Sequence, residues 1–178
     1  VLVFHGERNG YYERVSRRAV YAESAAMLAF WGLVLALVGP WAFLFVYVVP
    51  TLAANFVVMS YIATNHFLNP LTEINDPLVN SLSVTSPRWL ETLHLQFGYH
   101  VEHHLFPSMC GRHAPVVRDL LVRRYGDRYL TMPHARALRL LYARPKLHAG
   151  YDTLVDPRTM RTWRTLVPGD LSMAPIDA

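Results

Sequence analysis

A long stretch of the chain carries no charge. Between Glu23 and Glu73 there is no Asp, Glu, Lys or Arg, and most of the residues are Leu, Val, Ala, Phe, Tyr or Trp. About 20 helical residues cross the hydrocarbon core of a bilayer, so the stretch is long enough for two spans. Charge-free stretches of this length are rare in soluble domains. The sequence therefore predicts an integral, multi-pass membrane protein, with a buried helical hairpin of a soluble protein as the alternative.

A Gly-Pro pair divides this stretch into two predicted helices, one over about residues 20–38 and one over about 41–64. Gly39-Pro40 ends the first helix, because proline has no N–H to donate and disfavours helix at the residue before it. Pro50 predicts a kink inside the second helix. The turn between the helices is very short, which predicts a hairpin with both ends on the same side of the membrane.

Positive charge predicts which side that is. Arg14, Arg17 and Arg18 precede the hairpin, and from Thr85 to Ala178 there are thirteen Arg or Lys residues against eight Asp or Glu. Such residues accumulate on the cytosolic side of membrane proteins, so the segments that flank the hairpin are predicted to be cytosolic. No nucleic-acid-binding motif accompanies this charge, and no nucleic-acid partner is predicted.

The region after the hairpin is predicted to be a cytosolic helical cap. It comprises a histidine-containing region over residues 65–125, with a helix from Leu90 to Phe106, and a tail over residues 126–178. From Gly150 onward the tail is polar and has no clear periodicity. The predicted fold class is all-α, an integral membrane helical hairpin followed by a cytosolic cap that carries a metal site.

Two further segments of the cap are predicted to be amphipathic, basic helices. In "APVVRDLLVRRY" the Val and Leu residues are expected on one side, with Arg118, Arg123 and Arg124 on the other. The segment "HARALRLLYAR" has the same pattern. Helices of this kind lie at a membrane surface or pack on a cytosolic core, and a pair of ordinary soluble-domain helices remains open.

Three histidines are grouped in "GYHVEHHLFP", which runs from Gly98 to Pro107. On a helix His100, His103 and His104 are spaced i, i+3 and i+4, so they project together. Neutral imidazole is a ligand for Zn, Fe, Cu and Ni. An ordinary core rarely holds three clustered imidazoles, because each buried ring needs hydrogen-bond partners. The spacing therefore predicts a metal site, and a solvent-facing cluster without a role is the alternative.

The segment "HVEHHLFP" resembles the third histidine box of the membrane-bound fatty acid desaturases, which are non-haem di-iron oxygenases, and "TNHFLNP" resembles the segment upstream of that box. The resemblance covers about residues 14–125. It implies that His100, His103 and His104 bind iron, with His66 as a fourth ligand.

The resemblance also suggests residues that support the ligands. Asn65 could orient a ligand or hold a metal-bound water, and Asn69 is a second candidate for the same role. Glu102 could accept a hydrogen bond from a metal-bound histidine, or it could pair with a nearby arginine. Its replacement by alanine is expected to be milder than loss of a histidine. The other histidines are isolated or lie in polar segments and are left out of the site: His5, His94, His113, His134 and His148.

The chemistry implied by the resemblance is the O2-dependent introduction of a C=C bond into a fatty acyl chain by two non-haem iron ions. The acyl chain would be linked to a lipid, CoA or acyl carrier protein, and a ferredoxin or cytochrome b5 would supply electrons. No side chain is expected to be catalytic and no organic cofactor is expected. The alternatives are a related di-iron hydroxylase or ketolase, and a non-catalytic membrane metal-binding protein.

The family's two earlier histidine boxes are not found in the sequence, where the single histidine ahead of the hairpin is His5. We therefore expect residues 1–178 to be the C-terminal part of one desaturase domain, or a degenerate copy, and to be inactive in isolation.

Overall fold

The computed structural model describes residues 16–176. His5 and Arg14, which entered the sequence predictions, lie outside the described residues. The chain divides into two compact units, Val1–Asn55 and Phe56–Ala178.

The first unit contains helix α1, Arg17–Val38, and the start of helix α2, Pro40–His66. The side chain of Ser16 caps α1 by accepting a hydrogen bond from the Ala19 N–H. Gly39 has a φ of 80°, a conformation that favours glycine, and it separates the helices at the predicted position. Both helices are long and apolar enough to cross a membrane.

The irregularity in α2 lies one turn before the predicted kink at Pro50. Residues Leu44–Val48 form a π-helical turn, which the N–H of Val49 closes by donating to the carbonyl oxygen of Leu44. Pro50 has no N–H to continue the ordinary ladder. A π turn shifts the hydrogen-bond register just ahead of it, and the helix then continues to His66.

The second unit combines short helices with two small sheets. After the end of α2 its helices are α3, Pro77–Asn80, α4, Arg88–Leu93, α5, His100–Leu105, α6, Ala114–Tyr125, and α7, His134–Ala143. Its strands are β1, Ser83–Thr85, β2, Thr131–Pro133, β3, Leu147–His148, β4, Thr153–Val155, and β5, Thr162–Arg164. Strands β1 and β2 pair in parallel, and β3, β4 and β5 form an antiparallel sheet in that order.

The all-α prediction is therefore correct for the helical majority and wrong for these strands. Each strand has two or three residues, which is too short for an alternating apolar pattern to show in the sequence. Beyond Gly150, where the sequence shows no periodicity, β4 and β5 are held by backbone hydrogen bonds. Leu154 and Leu166 of this part are completely buried.

The predicted helix from Leu90 to Phe106 is also interrupted. Helix α4 ends at Leu93 and α5 begins at His100. Between them Leu95 and Gln96 have positive φ values of 53° and 63°. The interruption lets the chain pass against β1, where the N–H of Val84 donates to the carbonyl oxygen of Gly98 at 2.9 Å.

Close packing at Gly98 leads to a prediction. A Cβ atom added there would lie 2.7 Å from the carbonyl oxygen of Val84, a contact that requires the backbone to move. We expect Gly98→Ala to reduce the free energy of unfolding by roughly 1–3 kcal/mol, the usual cost of overpacking. The matched control is Gly111→Ala, where the added atom would meet its nearest neighbour at an ordinary 3.5 Å. Thermal unfolding in detergent should show a lower Tm for Gly98→Ala, and equal Tm values for the two variants would contradict the packing argument.

Candidate metal centre

Three histidine side chains converge in the second unit. His66 is the last residue of α2, whereas His100 and His104 lie one turn apart on α5. The Nε2 atom of His100 is 2.7 Å from the Nε2 of His66 and 3.0 Å from the Nε2 of His104. One nitrogen from each ring thus lies within 4.8 Å of the other two.

This arrangement fits a metal ion. Imidazole nitrogens lie about 2.1 Å from a bound metal ion, so two of them are about 3.0 Å apart at the right angle of an octahedral site and about 3.4 Å apart in a tetrahedral site. The two short nitrogen separations, 2.7 and 3.0 Å, are closer to the right-angle spacing. The donor set of three imidazoles suits iron and zinc alike.

His103 is not one of the three converging histidines. Its ring centre is 6.3 Å from that of His100 and 5.8 Å from that of His104, and its side chain is exposed. It still lines the same cavity as the other three. His100 and His104, which are four residues apart, therefore converge with His66. His103 lies at a different position around the helix.

Burial keeps His100 neutral. Removal from water is the main cause that lowers the pKa of His100 to about 3, and the neighbouring histidines lower it further. At neutral pH the ring therefore keeps a free lone pair. That lone pair is what a metal ion requires of an imidazole ligand.

Two asparagines beside His66 have unsatisfied polar atoms. Asn65 and Asn69 are completely buried. Within residues 16–176 neither polar atom of the Asn65 side chain has a hydrogen-bond partner, nor has Oδ1 of Asn69. The Nδ2 group of Asn69 donates to the carbonyl oxygen of Asn65 at 2.7 Å. A buried amide without a partner costs about 1–3 kcal/mol, so the free amide of Asn65 fits a place for a bound water or ion.

The ligand-bearing helix α5 is capped from another segment. The Oγ atom of Ser83, on β1, accepts hydrogen bonds from the backbone N–H groups of His100 at 3.1 Å and Val101 at 3.0 Å. The same hydroxyl donates to Oε2 of Glu102 at 2.7 Å. These three contacts fix the first turn of the helix and with it the direction of the His100 ring.

Glu102 lies at the centre of a buried hydrogen-bonded network. Its carboxylate is fully buried, and Oε1 accepts from Nε of Arg118 at 3.1 Å and from the hydroxyl of Tyr129. Burial, followed by the Glu102 charge, raises the pKa of Tyr129, so the phenol stays protonated and donates. The sequence left two roles open for Glu102. The structure shows the second of them, an ion pair with Arg118. None of its described partners is a histidine.

Arg118 was predicted on the polar face of α6, and this prediction is wrong. The guanidinium is largely buried, lies 3.8 Å from the ring centre of Tyr99, and donates to the carbonyl oxygens of Val84 and Gly98. A buried carboxylate needs a buried cation, and this pairing decides which side of the helix faces inward. Ser83, Arg118 and Tyr129 are supporting residues that the sequence analysis did not identify.

A cavity of about 470 Å³ opens beside the histidines. His66, His100, His103 and His104 line one part of it. Much of the remaining wall is apolar, formed by Ile62, Leu95, Phe97, Phe106 and Met109 among other residues. The cavity therefore brings metal-ligating nitrogens next to a surface suited to an apolar chain.

The histidines that were left out of the site have other surroundings. Nδ1 of His94 is 2.9 Å from the hydroxyl of Tyr61, and His134 stacks on the Tyr61 ring. Nε2 of His148 donates to the carbonyl oxygen of Asn69 at 3.1 Å. His113 is exposed next to Arg112.

Comparison with known proteins identifies the family. The family model described as "Fatty acid desaturase" matches residues 3–136, about three quarters of the chain. No curated protein matches the chain. No solved structure matches it either. The match includes all four candidate ligands, and the chain belongs to the fatty acid desaturase family.

Proposed function

We propose that the chain acts in an O2-dependent fatty acyl desaturase, with His66, His100 and His104 binding one iron ion. The convergence of their three Nε2 atoms, in a chain of this family, is the observation that carries the proposal. His103 lines the same cavity and is assigned to a second ion. That ion would need further ligands beyond these four histidines.

Iron is required because no amino-acid side chain can remove hydrogen from an unactivated methylene group. Bound non-haem iron would supply that oxidising power together with O2. The protein's part is to hold neutral imidazoles in place and to keep an open coordination position. Ser83 and Glu102 help to hold the imidazoles in place, because they fix helix α5, which carries His100 and His104. The Asn65 amide is proposed to hold a water at the site.

The apolar wall of the cavity is proposed to receive the acyl chain. Phe97, Phe106 and Met109 form part of this wall beside the histidines. Contact with such side chains would take the methylene groups out of water and hold them near the ligand nitrogens. The acyl chain would be attached to a lipid, CoA or acyl carrier protein.

The setting is proposed to be a membrane, with α1 and α2 as spans and the histidine region on the cytosolic side. Both helices are apolar and long enough, and both belong to a chain of the desaturase family. From Thr85 onward there are thirteen Arg or Lys residues against eight Asp or Glu, which favours a cytosolic location. There a soluble donor such as a ferredoxin, or the haem domain of a cytochrome b5, could supply electrons.

A zinc site is the second candidate. Three imidazoles form a common zinc ligand set, so the donor atoms alone do not distinguish zinc from iron. In that case the chain would be a non-catalytic metal-binding member of the family.

Metal analysis separates the two functions. The protein would be extracted at its native length from its native membrane in nonionic detergent, and iron and zinc would be measured per chain. Fatty acids of cells with and without the gene would be compared by gas chromatography and mass spectrometry. We expect iron, at about two ions per chain, and an additional double bond in the acyl pool. One zinc per chain, no iron and an unchanged acyl pool would exclude the desaturase.

A further inference from the structure

A second cleft lies in the C-terminal part of the chain. It has a volume of about 680 Å³ and is lined by residues of two segments, 142–147 and 156–163. Its lining shares no residue with the histidine cavity. The cleft lies beyond residue 136, where the match to the family model ends.

The two segments are held together by the three-stranded sheet. Leu147 pairs with Val155, and Val155 pairs in turn with Thr162. The N–H of Asp156 donates to the carbonyl oxygen of Arg161 at 3.0 Å and closes the loop between β4 and β5. The cleft therefore has a defined backbone on both sides.

The cleft is strongly positive. Arg144, Lys146, Arg158 and Arg161 line it, and Asp156 is the one acidic residue in its lining. The Asp156 carboxylate accepts hydrogen bonds from the N–H of Arg158 and the hydroxyl of Thr159, both at 2.9 Å. It thus stabilises the loop, and it offsets part of the positive charge through its electrostatic interaction with Arg158.

Two of the lining cations are partly restrained by their surroundings, which lowers the entropic cost of binding an anion. Nε of Arg144 is buried and has no hydrogen-bond partner among residues 16–176. Arg144 is half-buried, so its guanidinium has fewer positions open to it than that of an exposed arginine. The guanidinium of Arg161 lies 5.6 Å from the ring centre of Trp163, which restrains it at the wall of the cleft.

We propose that this cleft binds the phosphate group of an anionic ligand. Guanidinium groups match phosphate oxygens with paired hydrogen bonds, and a phosphate has enough oxygens to contact several cations at once. Four cations against one carboxylate leave an excess that a single carboxylate ligand would not neutralise. The phosphate could belong to a lipid headgroup or to a soluble compound, and the experiment distinguishes these sources.

The test uses the full chain in nonionic detergent and isothermal titration calorimetry. Inorganic pyrophosphate represents a soluble phosphate, dioleoyl phosphatidic acid in mixed micelles represents a lipid headgroup, and phosphatidylcholine is the lipid without net charge. We expect saturable binding of pyrophosphate, phosphatidic acid or both. The variant K146Q/R158Q should weaken that binding by at least about tenfold, since two charge-assisted contacts are lost.

The matched control is R123Q/R124Q, which removes the same charge from two exposed positions of α6 outside the cleft. It should bind as the wild type does, and the charge-preserving variant K146R/R158K should retain most of the affinity. Circular dichroism would establish that each variant is folded. Binding of phosphatidic acid alone would identify a lipid headgroup, and binding of pyrophosphate alone a soluble ligand. Absence of saturable binding, or equal losses in K146Q/R158Q and R123Q/R124Q, would overturn the proposal.

Discussion

Replacing His100 by alanine is expected to abolish metal binding by the protein. His100 provides the nitrogen that lies closest to both other ligands, at 2.7 Å from His66 and 3.0 Å from His104. Changes in residues that only support ligands typically cost 10–100-fold in metal affinity. Loss of this central ligand should therefore exceed about 100-fold. The measurement is metal content by mass spectrometry, together with a cobalt titration followed by visible absorption.

The control for this experiment is His113→Ala. His113 is exposed and is not one of the three converging histidines, so its loss removes an imidazole that the cluster does not include. It should leave metal content and the cobalt spectrum unchanged. If His100→Ala retained the metal content of the wild type, the cluster would not be the metal centre.

Replacing Glu102 by alanine is expected to lower the free energy of unfolding by about 3–5 kcal/mol, the usual cost of leaving one partner of a buried ion pair alone. Arg118 would keep a buried charge, and Ser83 and Tyr129 would lose their acceptor. Since Ser83 also caps α5, metal affinity should fall as well, though less than in His100→Ala. The sequence predicted only that Glu102→Ala would be milder than loss of a histidine, and the structure adds an expected loss of stability.

Chemical unfolding in detergent micelles measures this cost. Asp119→Ala is the matched control, because Asp119 is an exposed carboxylate next to Arg118 in sequence. It should change the free energy of unfolding by less than about 0.5 kcal/mol. Equal free energies of unfolding for Glu102→Ala and Asp119→Ala would mean that the buried network contributes nothing to stability. If Glu102→Gln were as stable as the wild type, hydrogen bonding by this side chain would matter more than its charge.

The parts of the fold that follow from local signals could be predicted. Gly39 and Pro40 end one apolar helix and begin the next because their backbone chemistry allows little else. The pairing of His100 with His104 follows from helical spacing. The sequence could not show that His103 lies outside the group of three converging nitrogens, since this depends on where His66 lies relative to α5.

The supporting network could not be predicted from spacing because its members are distant in sequence. Ser83, Glu102, Arg118 and Tyr129 meet through the folded chain. The sequence does contain one indication of this network, the position of Arg118. Arg118 is four residues after Ala114 and three before Leu121, and both of these are buried. Helical spacing thus places Arg118 on the buried stripe, and an arginine there requires an acidic partner.

The capping of α5 by Ser83 and the contact of Glu102 with Tyr129 have a consequence for biosynthesis. A helix of six residues has no stability of its own in water. Its stability in the protein depends on the hydroxyl of Ser83, which is synthesised before the helix, and on the phenol of Tyr129, which is synthesised after it. The ribosome must therefore release the chain beyond Tyr129 before the histidines acquire their final geometry. We expect nascent chains that stop short of this point to remain unable to capture metal, which would make cofactor loading a late step in maturation.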